Sequence, residues 1–373
     1  MKVNFLTGNL ILRKNKTGVH LYFENLINEF IKNNRNDEIK ISVYGRKKSF
    51  EEKFSHVLCY PMLIFSHKLT RVLAYFFPIE WFFFRNDVYI CDGLMPITFY
   101  KSFKIAVVHD QMVKIYPENY SFIMKAYLNY FYYRMMQKAD VVIAVSETTK
   151  KDVIKYWGID EKKIQIVYNG IDFDYIKNMQ SIKLDIRFDI TVKYLFYVGD
   201  LRKNKNVISA IKGFELYLKT GADMYFYIAG NQHHEYNFLV DYVKENHLEK
   251  KVVFLGYITE PEKYMLYKHA YAFLFVSLYE GFGVPILEAM ASKTPVITSN
   301  CSSMKEIAEQ ASLQVNPLDI ADIADKISLL NDAAIRNKCI KNGMDLVEKY
   351  TWNNSYIQFQ SIIDELKVKK NAY

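Results

Sequence analysis

The sequence alternates short apolar segments with longer helical patterns, and this alternation constrains the fold more than any other feature. Apolar runs such as 141–145 and 272–276 have the length of buried strands, and helical patterns such as 121–137 and 207–218 separate runs of this kind. Strands that are apolar on both faces and joined through helices belong to parallel sheets covered on both sides. The sequence therefore predicts an α/β protein.

The alternation runs through the chain twice, with a polar and mixed break at 172–192. A length of 373 residues suits two domains, since a domain usually takes roughly 100–200 residues. Two similar halves joined by a short linker would form a cleft, and ligands gather at the carboxyl ends of parallel strands. No Gly-x-Gly-x-x-Gly follows the first strand, which disfavours a classical dinucleotide site.

Residues 277–291 read SLYEGFGVPILEAMA and follow a predicted strand. The two glycines permit a tight turn, and the proline suits the first turn of a helix. A helix N-terminus that follows a strand and a glycine-bearing loop favours the binding of a phosphate-like anion. Glu280 and Glu288 flank the turn, so both carboxylates can reach a ligand bound there.

This segment resembles the sugar-nucleotide motif of retaining, GT-B-fold glycosyltransferases of family 4. That motif has two Glu separated by seven residues, with Gly-Phe-Gly-x-Pro between them, and Thr-Pro-Val-Ile follows here at 294–297. The alternative is an ordinary strand-to-helix turn with two solvated glutamates. The resemblance implies the GT-B fold, in which two Rossmann-like α/β domains face each other across a cleft.

The resemblance also implies the domain boundaries and the ligand that each domain binds. Residues 1–172 would form an N-terminal, acceptor-binding domain, and 173–192 would be the linker. Residues 193–350 would form the C-terminal, nucleotide-sugar-binding domain. Residues 351–373 would form a helix that crosses back onto the N-terminal domain.

In the resembled family, the two glutamates of the motif hold hydroxyl groups of the donor. Glu280 would face the hydroxyls of the donor sugar, and Glu288 would accept hydrogen bonds from the ribose hydroxyls, a task that carboxylates perform well. Phe282, Gly283 and Val284 would present backbone to the sugar or the diphosphate.

Three cations follow the strand predicted at 194–198, and Gly199 ends that strand. A departing diphosphate requires positive charge, which Lys205 and Arg202 would supply according to the resemblance. The alternative for both residues is a solvated basic loop, and relatives often hold the arginine elsewhere in this loop. Gly230 and Tyr257 follow two further strands and would line the base and ribose, although Gly230 suits a plain structural turn equally well.

In the first half, the resemblance assigns Gly18 to a loop near donor phosphate or acceptor, and His109 to a position near the sugar ring. His109 follows an apolar strand directly and precedes Asp110. A structural role in the core is the alternative for this histidine. Ser146 either lines the cleft or caps the helix that follows it.

The four cysteines are far apart, and the sequence contains no Cys-x-x-Cys or Cys/His cluster with zinc spacing. These features favour a reduced cytoplasmic protein without a structural metal. No signal peptide is evident, and no apolar run reaches the roughly 18 residues of a spanning helix. The resemblance implies that the reaction needs no metal and no cofactor besides the nucleoside-diphosphate sugar.

Most of the positive charge lies in the first half. Residues 1–174 hold 25 Lys and Arg against 18 Asp and Glu, in a chain with a formal net charge of +8. Residues 62–85 are rich in aromatics, with Lys68, Arg71 and Arg85 interspersed, and the helix predicted at 121–137 is also rich in aromatics. One interpretation is peripheral contact with an anionic membrane, on the inner face of the plasma membrane. The other is packing against the first sheet.

The resemblance thus implies a metal-independent, retaining hexosyltransferase of bacterial polysaccharide biosynthesis. It would move a sugar, with mannose from GDP-mannose as the best guess, to a hydroxyl of a glycan or lipid-linked oligosaccharide. The alternative function is a non-catalytic sugar-nucleotide-binding or scaffold protein on the same fold. Nucleic-acid binding is disfavoured because the sequence has no basic helix and no interleaved aromatic–glycine motif.

Overall fold

The structure is a computed structural model that describes residues 2–8, 18–33, 38–43, 58–61, 86–92, 98, 101–182, 188–308 and 310–371. The aromatic and basic segment 62–85 lies outside these residues. The chain divides into two compact units. Unit 1 comprises Met1–Gly170 together with Trp352–Tyr373, and unit 2 comprises Ile171–Thr351.

Unit 1 is built on a seven-stranded parallel sheet. Its strands are β1 (Lys2–Gly8), β2 (Glu38–Val43), β3 (Leu58–Pro61), β4 (Val88–Cys91), β5 (Phe103–Val108), β6 (Val141–Ala144) and β7 (Ile164–Ile166), in the order β3-β2-β1-β4-β5-β6-β7. Its first helices are α1 (Gly18–Asn33), α2 (Met112–Ile115), α3 (Phe122–Lys138) and α4 (Glu147–Trp157). Strand β4 is buried along its whole length, as a central strand covered on both faces should be.

Unit 2 opens with the helix α5 (Phe173–Ser181), which occupies the first half of the predicted linker. Its six-stranded parallel sheet contains β8 (Tyr194–Val198), β9 (Tyr225–Ala229), β10 (Val252–Gly256), β11 (Ala272–Phe275), β12 (Val296–Ser299) and β13 (Leu313–Val315), in the order β10-β9-β8-β11-β12-β13. The helices are α6 (Val207–Leu218), α7 (Tyr236–Glu245), α8 (Glu260–His269), α9 (Val284–Ala291), α10 (Ser302–Ala308), α11 (Ile320–Leu329) and α12 (Ala333–Val347).

Both sheets reverse their strand order at one place, between β1 and β4 in unit 1 and between β8 and β11 in unit 2. In doubly wound sheets, ligands bind beside the carboxyl ends of the strands at such a reversal. In unit 2 the loops after β8 and β11 are those that carry the predicted cations and the glutamate motif. The topology therefore brings two distant sequence motifs to one edge of the sheet.

The last helix, α13 (Trp352–Asn371), belongs to unit 1. Its aromatic rings meet those of α1: the ring of Phe30 lies 4.9 Å from that of Tyr356 and 5.9 Å from that of Phe359, and Trp352 lies 5.7 Å from Tyr22. Phe30 and Phe359 are fully buried. Helix α13 thus supplies part of the core of unit 1.

Among the described residues, no helix is both long enough and apolar enough to span a bilayer. The thiols of Cys91, Cys301 and Cys339 are free.

Candidate active site

Lys205 and Glu280 meet at the strand-order reversal of unit 2. The Nζ of Lys205 lies 2.7 Å from Oε1 and 2.8 Å from Oε2 of Glu280, so the ammonium donates to both oxygens of the carboxylate. The two side chains are 20% and 12% exposed, which makes this a partly buried ion pair that a ligand can still approach. The residues are 75 positions apart in the sequence, and the fold brings them together.

Two buried asparagines fix the loop that carries Lys205. The carbonyl of Asn204 accepts from the N–H of Leu278 at 2.7 Å, which ties this loop to the one after β11. The side-chain amide of Asn206 donates to the carbonyls of Val276 (3.1 Å) and Pro317 (2.7 Å). Asn206 has a φ of 53°, in the left-handed region that asparagine tolerates better than most residues. These bonds hold the backbone of Lys205 against the glutamate loop.

Two serines fix the backbone of Glu280, and the sequence analysis missed both. The Oγ of Ser302 donates to the carbonyl of Glu280 (2.8 Å) and accepts from its N–H (3.1 Å). The Oγ of Ser303 lies 2.9 Å from the carbonyl oxygen of Glu280 and 2.7 Å from that of Phe282. Their position at the start of α10, directly after β12, was the available signal, because carboxyl ends of parallel strands share one edge.

Glycines line the same edge where β8, β9 and β10 end. The N–H of Gly199 donates to the carbonyl of Ala229 (3.0 Å), and the N–H of Gly230 donates to that of Gly256 (2.9 Å). A Cβ on Gly230 would lie 1.8 Å from the carbonyl oxygen of Gly199, so no larger residue fits there. These backbones pack closely enough to form a side-chain-free ledge, and Tyr257, which is 66% exposed, follows it.

Gly283 precedes α9 with a φ of 108°, a conformation that favours glycine, and Val284 is the first residue of the helix. The side chain of Phe282 is 4% exposed, and its ring lies 6.0 Å from that of Tyr350. The ring of Phe282 is therefore part of the core of unit 2. The N-terminus of α9 places the positive end of the helix dipole at this loop.

Arg202 is paired elsewhere. Its Nε lies 3.6 Å from Oδ2 of Asp200, and the side chain is 37% exposed. The other oxygen of Asp200 lies 3.2 Å from the amide of Asn231 and 3.4 Å from Nε2 of His233. Arg202 thus belongs to a partly exposed polar group around Asp200, on the same loop as Lys205.

Glu288 lies on α9 in a buried group with three residues of α8. Its Oε1 accepts from Nζ of Lys263 (3.0 Å) and from the hydroxyl of Tyr264 (2.9 Å), and its Oε2 accepts from the hydroxyl of Tyr267 (3.3 Å). Lys263 also lies 3.0 Å from Oε2 of Glu260. Sequence reasoning missed these partners, because their spacing on α8 is that of an ordinary helix.

The group places one cation, Lys263, between the carboxylates of Glu260 and Glu288. Burial by itself would lower the pKa of Lys263, but Glu288 and Glu260 together hold that pKa above its usual value. Burial raises the pKa of Tyr264 and of Tyr267, and the carboxylate of Glu288 raises both further. Lys263 is therefore an ammonium, and both tyrosines keep the protons that they donate to Glu288.

In unit 1, His109 follows β5 and packs among aromatic rings. Its ring lies 4.9 Å from that of Tyr22 and 6.1 Å from that of Phe23. Its Nε2 is buried and finds no hydrogen-bond partner within the described part of the chain. Burial lowers the pKa of His109 to about 4, so the imidazole is neutral near pH 7.

The remaining candidates of unit 1 lie at or near the starts of helices. Gly18 is the exposed first residue of α1, and a Cβ there would meet no atom of the described residues within 4 Å. Ser146 is buried and caps α4 by accepting from the N–H of Thr149 at 3.0 Å, so the capping alternative describes it. The carboxylate of Asp110 accepts from the N–H of Met112 (3.0 Å) at the start of α2.

Comparison with known proteins identifies the family of this chain. The model of the Glycosyl transferases group 1 matches residues 180–345, and that of Glycosyltransferase Family 4 matches residues 17–175. The O-antigen chain mannosyltransferase RfbU of Salmonella typhimurium is 31% identical over 265 residues, which cover 68% of this chain and 70% of that protein. This chain belongs to glycosyltransferase family 4.

Two more comparisons extend this result. The O-antigen chain mannosyltransferase B of Escherichia coli is 25% identical to this family 4 glycosyltransferase over 259 residues, 68% of each chain. The solved structure of a sucrose-phosphate synthase from Thermosynechococcus elongatus superimposes with a TM-score of 0.73 at 15% identity, covering 99% of this chain and 100% of that one. That likeness shows the fold alone, and it confirms the predicted GT-B fold with two Rossmann-like domains.

Proposed function

We propose that this family 4 glycosyltransferase moves a hexose from a nucleoside-diphosphate sugar to a hydroxyl of a glycan or lipid-linked oligosaccharide. The observation that carries the proposal is the ion pair of Lys205 and Glu280 at the strand-order reversal of unit 2. It supplies a cation for the diphosphate and a carboxylate for sugar hydroxyls within one hydrogen bond of each other. Unit 2 would bind the donor, and unit 1, with His109 and Gly18, would contribute to acceptor and sugar binding.

The proposed reaction proceeds with retention of the anomeric configuration. The bond between the anomeric carbon and the diphosphate oxygen breaks, and a bond from that carbon to the acceptor oxygen forms on the same face. The acceptor's proton passes to the departing phosphate, so no covalent enzyme intermediate is required. The third N–H of Lys205 and the positive end of α9 would stabilise the leaving diphosphate.

The proposal requires neither a metal nor a further cofactor. Lys205, Arg202 and the backbone amides at Gly283 and Val284 would take the role of a divalent cation, since a diphosphate is stabilised by fixed positive charge of either kind. Transfer should then persist after extensive dialysis against EDTA, and loss of activity that added Mg²⁺ or Mn²⁺ restores would refute this part.

Mannose is the sugar that the relatives favour, because two of them are O-antigen chain mannosyltransferases. By the same comparison, the product belongs to a bacterial surface polysaccharide. A thermal-shift screen with GDP-, UDP- and dTDP-sugars tests the donor, since a ligand at a hundred times its dissociation constant stabilises by about 2.7 kcal/mol. A donor that binds and is never transferred or hydrolysed would make the chain a non-catalytic binder.

We also include peripheral membrane contact in the proposal, and the exposed face of α3 supports it. Phe122, Ile123, Tyr130 and Tyr133 are 81%, 80%, 51% and 42% exposed. At 100° per residue, these positions fall within about 100° of one another around the helix. Large apolar side chains in such numbers on one face mark an interaction site.

The charges on α3 favour an anionic lipid surface as the partner. The helix carries Lys125, Arg134 and Lys138 and no acidic residue. Burial and the neighbouring Arg134 and Lys104 lower the pKa of Lys138, which shows that positive charges crowd together here. Near an anionic bilayer, each such cation contributes about 1 kcal/mol. The surface would hold the enzyme at the inner face of the plasma membrane.

Vesicle co-sedimentation tests this contact. We expect binding to vesicles of phosphatidylglycerol and phosphatidylcholine, weaker binding to phosphatidylcholine alone, and loss of binding in Phe122→Ser/Ile123→Ser. Phe238→Ser is the matched control, because Phe238 is 53% exposed on α7 of unit 2. Equal sedimentation of the wild type and the double variant would contradict a role for α3.

A further inference from the structure

We propose that Lys263 is a positioning residue, which orients the carboxylate of Glu288 so that a single acceptor position faces the ribose of the donor. The inference rests on the proposed function and adds to it a residue and a hydrogen-bond pattern that the family motif does not contain. It follows from the buried group of α8 and α9.

The carboxylate of Glu288 accepts three hydrogen bonds from α8. An ionised carboxylate has about four acceptor positions, two on each oxygen. Lys263 and Tyr264 occupy both positions of Oε1, and Tyr267 occupies one on Oε2. Within the described part of the chain, one position on Oε2 remains. Glu288 can therefore accept from one ribose hydroxyl, whereas the sequence analysis expected it to serve the ribose hydroxyls together.

Lys263 fixes the orientation of the Glu288 carboxylate. Lys263 is held from two sides, by Glu260 on its own helix and by Glu288 on α9, each at 3.0 Å. Its side chain is 11% exposed and that of Glu288 is 9% exposed. A buried ammonium between two carboxylates has little freedom to move. Lys263 therefore fixes the rotation of the Glu288 carboxylate and also stabilises its charge.

Positioning of Glu288 by Lys263 differs measurably from a purely structural role of Lys263. A residue that only stabilises the fold affects every nucleotide equally, because the fold does not depend on which hydroxyl the ligand carries. A residue that aims Glu288 affects one ribose hydroxyl more than the other. The interaction between Lys263 and that hydroxyl is thus measurable as a double-mutant cycle, in which the second change is made on the ligand.

The experiment measures binding of GDP and UDP, each with its 2′-deoxy and 3′-deoxy form, by isothermal titration calorimetry of the full chain. In the wild type, we expect removal of one of the two hydroxyls to weaken binding about tenfold or more, as for hydrogen bonds to charged groups. In Lys263→Met, the same removal should weaken binding less than about threefold. Lys263→Arg, which keeps the cation, should restore part of the difference.

Lys268→Met is the matched control, because Lys268 is an exposed lysine on the same helix. It should discriminate between the hydroxyls as the wild type does. The proposal is overturned when Lys263→Met discriminates like the wild type, or when the wild type ignores both hydroxyls. If none of GDP, UDP and dTDP binds, the proposed donor site itself fails, and that outcome is distinct from binding without coupling. Circular dichroism establishes that each variant is folded.

Discussion

At the scale of single residues, the ion pair of Lys205 and Glu280 is the centre of the candidate site. Each residue satisfies the charge of the other, and both remain partly exposed. Among the described residues, the ammonium and the carboxylate each keep hydrogen-bonding capacity, so the proposed diphosphate sugar would add to this pair without breaking it.

We expect Lys205→Ala and Glu280→Ala each to lower transfer by more than about tenfold, which corresponds to about 1.4 kcal/mol or more of lost transition-state stabilisation. The fold should remain intact. The rate of sugar transfer from the donor that the thermal-shift screen selects measures the effect. Lys203→Ala is the control, since Lys203 is an exposed residue of the same loop. Wild-type turnover in either site variant would refute its assignment.

His109 should make stability depend on pH. The folded protein binds a proton at His109 less readily than the unfolded chain does, because burial lowers the pKa from 6.5 to about 4. Its contribution is complete above about pH 6.5, and it is lost progressively as the pH falls toward 4, by about 3 kcal/mol in all.

Urea unfolding at pH 7 and pH 5 measures this dependence, with His109→Phe as the comparison. The wild type should lose more stability than the variant between the two pH values. An equal loss would show that His109 titrates normally in the folded protein, contrary to its burial.

At the scale of elements, strand ends position the site, and the sequence predicted most of these elements. The predicted strand 194–198 and helix 207–218 coincide with β8 and α6. The helices α5 and α10 were missed, because they are short and lack a long apolar period. The motif predicted that Glu280 and Lys205 would converge. The roles of Ser302 and Lys263 depend on contacts between distant segments, which no local pattern records.

Gly230→Ala should destabilise unit 2 strongly, because the new Cβ would meet the carbonyl oxygen of Gly199 and the φ of Gly230 is 141°. We expect a loss of at least about 2 kcal/mol in urea unfolding. Gly256→Ala is the control: its φ of 67° carries strain, but its Cβ would meet no described atom within 4 Å. A smaller loss for Gly230→Ala than for Gly256→Ala would contradict the close packing of the ledge.

At the scale of the whole molecule, unit 1 is discontinuous in sequence and unit 2 is not. The core of unit 1 includes α13, whose residue Phe359 is fully buried beside Phe30 of α1. The two units should therefore respond differently to a change in the last helix, although both are parallel α/β structures.

Phe359→Ala should destabilise unit 1 selectively, by about 3–5 kcal/mol, the usual cost of removing a buried phenylalanine ring. Limited proteolysis over a temperature series, read by mass spectrometry, assigns each cleavage to a unit. Cleavages within unit 1 should begin at a lower temperature than in the wild type, while those in unit 2 keep their onset. Phe238→Ala, at an exposed position, is the control. A shift of both units together would show that they unfold as one.

The place of α13 also sets the order in which the chain can acquire its structure on the ribosome. Residues 171–351 leave the ribosome before α13 does, whereas unit 1 lacks the α13 part of its core until that helix has emerged. We therefore expect unit 2 to complete its core first, the reverse of the usual order, in which the N-terminal domain matures first during synthesis. Until α13 emerges, the apolar surface around Phe30 lacks this cover, and chaperones that bind nascent chains would find it there.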